Sequence, residues 1–567
     1  MKQNRIPVAL VASIAAASLS LTACSSSGKS DDKAAPPKAD APKMTQRAIN
    51  EKPRTDLKQG GSLNWAIDQL SSQWNPLEAD GNETSTTDVV KAVMPTFWRS
   101  DAGGAQTVNK DYLVDAKSET KDGKQVVTWT LNPKAKWSDG TPITWKDIEA
   151  NWKSQNGSNT AFKATSTTGF DQIESIVKGA DDYQAIATFK TPFSEWQALF
   201  NNAANAPLFP ASQISTPELF NTSYVDKIPV TAGPFKLDKI DQTAKTVTVV
   251  ADPNWWGNKP LLDKIVYKAM DTNAMPQAFQ NGEIDFYNNG PDASGFKQIQ
   301  ATPDGEVREA GGPNFRHFML NGKSPMLTDP KVRQAIFQGI DRATIGKSDL
   351  NGLGWPAEPM NNHFLVPNQN GYKDNSNGLS TFNPEVAKKT LDEAGWKLDG
   401  DVRKKDGKEL ALKFVIPAGV TVATNEGSML TQMMKQIGVK ITVFTAPSNE
   451  FFDKYIYKYD FDMTAFSLIG TPFPASSSTA NFKTDGGANY SQVGSPELDK
   501  AMADAAAAPT TEAAMEAINR ADGEAWKVAG LITLYQRPAI FGVKKAVANL
   551  GAPGLSDYIY EDIGFTK

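Results

Sequence analysis

Chemistry needs particular side chains at particular spacings, and this chain offers few such sets. Gly-Lys-Ser occurs at 28–30 and again at 346–348. A phosphate loop needs a further glycine five residues before the triplet's own, so that backbone N–H groups can wrap a phosphate. Those places hold Ala23 and Asp341, so neither triplet binds a nucleotide and an ATPase is excluded. No Gly-x-Ser-x-Gly elbow and no His-Glu-x-x-His pair occurs. Asp460 and Asp462 could do acid–base work, but two carboxylates two residues apart on a strand read first as a solvated face. Asp374-Asn375-Ser376-Asn377-Gly378 has the look of a calcium loop without the distal Glu, and reads as a turn. His317 and His363 are the two histidines, too few for a His-rich metal site and poor material for a triad. No catalytic residue, metal or cofactor is therefore expected.

The one cysteine, Cys24, carries the strongest signal. Lys2 and Arg5 precede an apolar run at 6–21, then Leu21-Thr22-Ala23-Cys24 leads into Ser25-Ser26-Ser27-Gly28. A basic start, a short apolar segment and small residues before a cut describe a secretory signal over 1–23. The run is too short for an ordinary spanning helix. Leu21 to Cys24 resembles the lipobox of bacterial lipoproteins, which implies a diacylglyceryl thioether on Cys24. Two acyl chains hold a protein stably at a membrane where one binds only marginally. The expected location is outside the cell, anchored to the outer face of the cytoplasmic membrane.

Loss of the signal takes the net charge from −5 to about −7. Mild acidity argues against a nucleic-acid partner. Without a second cysteine no disulfide forms within the chain, so a large apolar core must supply stability, and 40% apolar residues suffice for one. Residues 24–59 are Ser, Ala, Pro, Lys and Asp with almost no large apolar groups, a composition that reads as a flexible tether. Such a coil reaches roughly 30 Å.

The elements that must position any site start at Gly60-Gly61-Ser62-Leu63. Val126 to Leu131 reads as a strand, Thr144 to Ile148 as a helix start, and 245–250 and 261–269 as strands. After about 315 the texture changes. Asp329-Pro330 and Asn383-Pro384 each read as an N-cap with Pro at the first helical position. A strand at 412–416, a helix at 423–436, a stop at Gly438 and a strand at 439–444 form a βαβ unit, hence parallel sheet. Two α/β regions of different texture imply two lobes with a cleft between them. Among thirteen tryptophans, Trp137, Trp145, Trp152, Trp255 and Trp256 read as packing residues, some of which could also wall such a cleft.

Nine segments in order resemble the dipeptide/oligopeptide class of solute-binding proteins that serve ABC importers. They are Gly60-Gly61-Ser62-Leu63, Trp74-Asn75-Pro76-Leu77, the stretch 131–142, Gly233-Pro234-Phe235 and Asn254-Trp255-Trp256-Gly257. Asn281-Gly282-Glu283-Ile284-Asp285, Asp329 through Ile336, Ile340-Asp341-Arg342 and Ala394-Gly395-Trp396 follow. The resemblance implies an α/β, type II periplasmic-binding-protein clamshell and no enzyme. Lobe I would take 60–315 with an inserted subdomain plus 535–567, and lobe II 316–534, hinged on crossing strands near 311–318 and 532–541. It further implies a monomer that closes on a small solute, first an oligopeptide, and hands it to permease and ATPase subunits.

Carried over by the resemblance, the cleft residues are Asp80, Gly81 and Asn82, then Tyr287 and Asn288, then Thr471 and Phe473, with Tyr535 on the returning strand. Peptide binders of this class often pair an Asp with the free amino terminus; here Thr471 stands at that place. A hydroxyl cannot neutralise a buried ammonium. Either another acid such as Asp80 serves, or the cargo lacks that amine. The alternatives are a glycolipid, oligosaccharide or metal chelate on the same fold, a signalling lipoprotein, and a surface hydrolase.

Overall fold

Two long strands set the architecture. Gly305–Leu320 and Leu531–Lys544 pair antiparallel at the centre of a ten-stranded sheet in the computed structural model, which describes residues 44–567. To one side lie Met463–Ile469, Ala411–Pro417 and Lys440–Ala446; to the other Phe286–Asn288, Ser62–Ile67, Lys264–Ala269, Thr246–Ala251 and Phe235–Asp241. The expected βαβ unit is present: Ala411–Pro417 and Lys440–Ala446 are parallel, joined through the helix Thr421–Gln436. Gly438, at φ 78°, makes the stop between helix and strand.

Local sequence explains the other ends. Asp329 accepts from Lys331 N–H ahead of Pro330–Gln338, and Asn383 accepts from Val386 N–H ahead of Pro384–Glu393. Ile340, just beyond the end of the first of these helices, is fully buried. Trp145–Gln155 opens with a capping box between Thr144 and Asp147.

The buried apolar residues fall into separate cores on the two sides of the central strands. One core runs from Leu63 to Tyr267 and takes in Phe286, Val543, Leu550 and Ile563 from later in the chain. A four-stranded antiparallel sheet, built on Lys124–Leu131 and Gln184–Phe189, packs into it. Two further cores are made almost wholly of residues between 296 and 540.

Three expectations change. The tether does not run free to residue 59. Ala48 exchanges hydrogen bonds with Ala552, Lys58 N–H donates to Phe565 O, and Ile49 and Leu57 are buried. Composition averaged over 24–59 hid two aliphatic anchors and a backbone partner some 500 residues away. The signal, Cys24 and the rest of the tether lie outside the described residues. Asp460 and Asp462 lie ahead of the strand Met463–Ile469 and differ in exposure: Asp460 is exposed and pairs with Lys413 Nζ, whereas half-buried Asp462 accepts from Lys413 N–H at 2.6 Å and from the Ser324 hydroxyl. Finally, Trp137 is buried, and Trp145, Trp152, Trp255 and Trp256 pack on the first core without lining either cavity described below.

Both histidines are interior. His317 has neither ring nitrogen bonded, and burial lowers its pKa, which keeps it neutral. His363 bonds Asp522 through Nδ1 at 2.6 Å and Leu531 O through Nε2 at 2.9 Å. Asp374 Oδ1 accepts from Ser376 N–H and hydroxyl, the Asx turn expected of that loop.

Candidate functional site

The strand Met463–Ile469 ends at Gly470, whose N–H donates to Pro313 O at 2.8 Å. Thr471 then folds the chain back: its Oγ1 accepts from Phe473 N–H at 3.0 Å, and Gln369 Nε2 donates to its carbonyl at 3.0 Å. Pro474 begins the helix Pro474–Phe482, whose first amides have no partner within the helix. Their partner comes from the first core. Glu195 accepts from Ala475 N–H at 2.8 Å, from Ser476 N–H at 2.7 Å and from the Ser476 hydroxyl. A carboxylate at a helix N-terminus meets aligned donors and the positive end of the helix dipole. Burial pushes the Glu195 carboxyl up, against the pull of those three donors. Beside it Ser194 bonds Ala505 O and Ala506 O. Phe193 and Leu199 sit in the first core, while Ala475 and Phe482 sit in another. Glu195 thus ties two cores together.

Next to this tie is a cavity of about 280 Å³. One wall is Thr471, Phe473, Ser476 and Ser477; the other comes from Leu77, Asn82, 165–170 and 198–206. No charged side chain lines it. The Asn82 side of the wall depends on a tight turn. Glu78 is buried and accepts from Asp80 N–H at 2.7 Å, which winds Ala79–Gly81 into one turn of 3-10 helix. A Cβ on Gly81 would lie 2.1 Å from Asn75 O, so only glycine fits. Asn82 Oδ1 accepts from Asn205 Nδ2 at 2.9 Å, closing the rim.

Of the eight cleft residues expected, Asn82, Thr471 and Phe473 meet here. Asp80 is exposed and Gly81 buried behind the wall, and neither lines the cavity. Tyr287 and Asn288 line a second cavity, of about 320 Å³, whose walls all come from 66–88 and 272–292. Asp68, Asp88 and Asp292 make it acidic. Burial pushes the Asp88 carboxyl up to about 7. The Tyr287 hydroxyl donates to Asn289 Oδ1 at 3.3 Å, and burial raises its pKa.

Tyr535 belongs to neither cavity. It lies on the crossing strand, where its hydroxyl donates to Asp349 Oδ2 at 3.1 Å. Beside it Arg316 makes a two-point contact with Glu426, both buried. Burial, then the charge of Glu426, pushes the Asp349 carboxyl well above its ordinary range, toward the protonated form.

Sequence reasoning missed Glu195, Ser476, Ser477 and Asn205. The helix end could have been seen, because Pro474 precedes small residues and three serines. Glu195 and Asn205 carry no local signal; their roles come from partners 281 and 123 residues away.

The family model of bacterial extracellular solute-binding proteins, family 5 (Middle), matches residues 112–490. The chain belongs to that family. It is 36% identical over 550 residues to the oligopeptide-binding protein OppA of Mycobacterium tuberculosis H37Rv, covering 96% of this chain and 92% of that one. Among solved structures it resembles the periplasmic EDTA-binding protein EppA, with a TM-score of 0.82 at 26% identity over 93% of this chain and 100% of the other. The Bacillus subtilis oligopeptide-binding protein AppA, in complex with a nonapeptide, shares the fold at a TM-score of 0.71, 19% identity and coverage of 90% and 100%. Family 5 membership confirms the α/β binding-protein fold and sets the hydrolase alternative aside: this is a solute-binding family, not an enzyme. Among the described residues no helix is long and apolar enough to cross a membrane.

Proposed function

We propose that this family 5 protein is the extracytoplasmic receptor of an ABC importer and captures oligopeptides between two hinged lobes. Lobe I comprises 60–315 and 535–567, lobe II 316–534, and the crossing strands Gly305–Leu320 and Leu531–Lys544 are the hinge. The observation that carries the reading is the uncharged cavity walled from both cores and tied shut by Glu195. A solute held there favours the closed form only because it touches both walls at once. The lining suits main-chain amides and uncharged side chains, since a charged group buried without a partner is expensive. The OppA relative favours peptide as the cargo. Permease and ATPase subunits are the partners that receive it.

The test is a thermal-shift and tryptophan-fluorescence titration with a pool of synthetic nonapeptides. Binding raises the melting temperature, and Trp196, next to Glu195 and 5.1 Å from the Trp98 ring, reports closure in its emission. Neither signal moving across the pool removes the peptide cargo. The EppA likeness favours a carboxylate-rich chelate as the second reading, and Fe(III)-EDTA in the same assay decides between them.

Attachment through Cys24 completes the proposal. Cys24→Ala should move the protein from the membrane fraction to the soluble fraction. An unchanged partition would remove the anchor.

A further inference from the structure

Arginines in this chain commonly use most of their donors. Arg308 reaches Glu306 and the carbonyls of Ile49, Val547 and Leu550. Arg333 bonds four carbonyls, Arg342 three carbonyls and Asn361, and Arg403 two carbonyls and Asp392. Arg316 grips Glu426 with two nitrogens. Arg537 differs from these five buried arginines. Half-buried on the crossing strand, it donates once, from Nη1 to Ser467 Oγ at 3.2 Å, and makes no ion pair among the described residues.

The backbone explains why this guanidinium stands free. Pairing between the central strands runs regularly to Gly311↔Pro538 and resumes at Phe315↔Gln536. Arg537 alone therefore faces Gly312, Pro313 and Asn314, which bulge away from its strand while Pro313 and Asn314 stay bonded to the segment 469–470 on the other side. Pro538 brings no N–H to the ladder at that point, and Gln536 closes the loop by donating to Gly312 O at 2.7 Å. Arg537 lines neither cavity, but its strand runs between the segments that do. Four residues beyond Arg537, Phe541 pairs with Asn288; on the other side Ser467 leads within four residues to Thr471. The side chain thus lies on the strand that links the two sets of expected cleft residues.

Among the described residues no carboxylate contacts it directly. Glu426 is taken by Arg316, and Asp349, its carboxyl pushed up by burial, accepts from Tyr535. A desolvated cation with unused, forked donors suits a carboxylate, which it can hold in two-point contact.

We infer that Arg537 is a ligand-binding residue that receives a carboxylate of the captured solute, through a guanidinium left unpaired at the break in the crossing strands. The inference rests on the solute-capture reading above. The carboxylate can be a peptide's C-terminus or one arm of a chelate, and the probes separate the two. Full-length protein is titrated with nonapeptides free of Asp and Glu, N-acetylated, as C-terminal acids and as C-terminal amides, and with Fe(III)-EDTA. Wild type should bind the acids at least tenfold tighter than the amides. Arg537→Gln should erase that preference while keeping its grip on the amides, and Arg537→Lys should keep part of it. Binding of the chelate alone, weakened tenfold or more by Arg537→Gln, supports the inference and removes the peptide cargo. An acid preference that survives in Arg537→Gln overturns the inference and leaves the peptide reading standing. So does equal binding of acids and amides by wild type. Binding of none of the three probes overturns both. A melting temperature of Arg537→Gln close to that of wild type shows that the variant is folded.

Discussion

The cavity beside Glu195 and the cavity beside Tyr287 have similar volumes, about 280 and 320 Å³, and differ in everything else. The first has no charged lining and takes its walls from two cores; the second carries Asp68, Asp88 and Asp292 and takes its walls from one side of the central strands. A solute in the first can pull two bodies together, because its binding energy depends on both walls being in place. A solute in the second touches surfaces that already keep their spacing. Capture coupled to closure belongs to the first cavity, and the acidic one can contribute affinity without moving anything. Filling the first therefore gives the largest effect. Ser477→Trp places an indole in the cavity from the helix Pro474–Phe482. Peptide affinity in isothermal titration should drop about 100-fold or more, close to 2.7 kcal/mol. Asn288→Trp in the acidic cavity should cost far less, and equal losses would dissolve the distinction.

The tie between the cores comes next. Glu195→Gln keeps the shape but replaces one carboxylate oxygen by a donor that faces Ala475 N–H, Ser476 N–H or the Ser476 hydroxyl. Hydrogen bonds to a charged group contribute roughly 1.5–3 kcal/mol each. Part of that loss should appear as a closed form less populated without ligand and as a roughly tenfold weaker affinity, about 1.4 kcal/mol. Small-angle scattering of the ligand-free variant should give a larger radius of gyration than wild type. An unchanged radius together with unchanged affinity would show that Glu195 holds only its own helix end.

The sequence carried the frame of this comparison but not its hinge of meaning. Asn-Pro and Asp-Pro N-caps and the βαβ unit at 411–446 were legible because each rests on signals close in sequence, while the crossing strands came only through the family resemblance. The family motifs led to Asn82, Thr471 and Phe473, which do share a cavity, and to Tyr287 and Asn288, which belong to another. What stayed hidden depends on long-range pairing: Glu195 with Ser476, Asn205 with Asn82, the segment 48–58 with the C-terminal tail. The free state of Arg537 was hidden for the same reason, since a strand register that skips three residues has no mark in a single sequence.

The smallest effect tests the acidic side of the comparison. Burial is the main cause that pushes Asp88 up from its ordinary value of 3.8 to about 7. The folded state therefore holds this proton more tightly than the unfolded chain does. By linkage, the contribution of Asp88 to stability is complete below about pH 4, fades as the pH rises and is gone above about 7. Asn mimics the protonated acid at every pH. Asp88→Asn should then match wild type at pH 4 and melt higher at pH 8, by roughly a degree or two in a chain of this size. Closure should not change, because every wall of that cavity lies on one side of the central strands. A wild-type-like radius of gyration with the pH-dependent gain confines Asp88 to local electrostatics. A variant that also opened or closed the molecule would make the acidic cavity part of the moving seam, and the contrast between the two cavities would fail at its base.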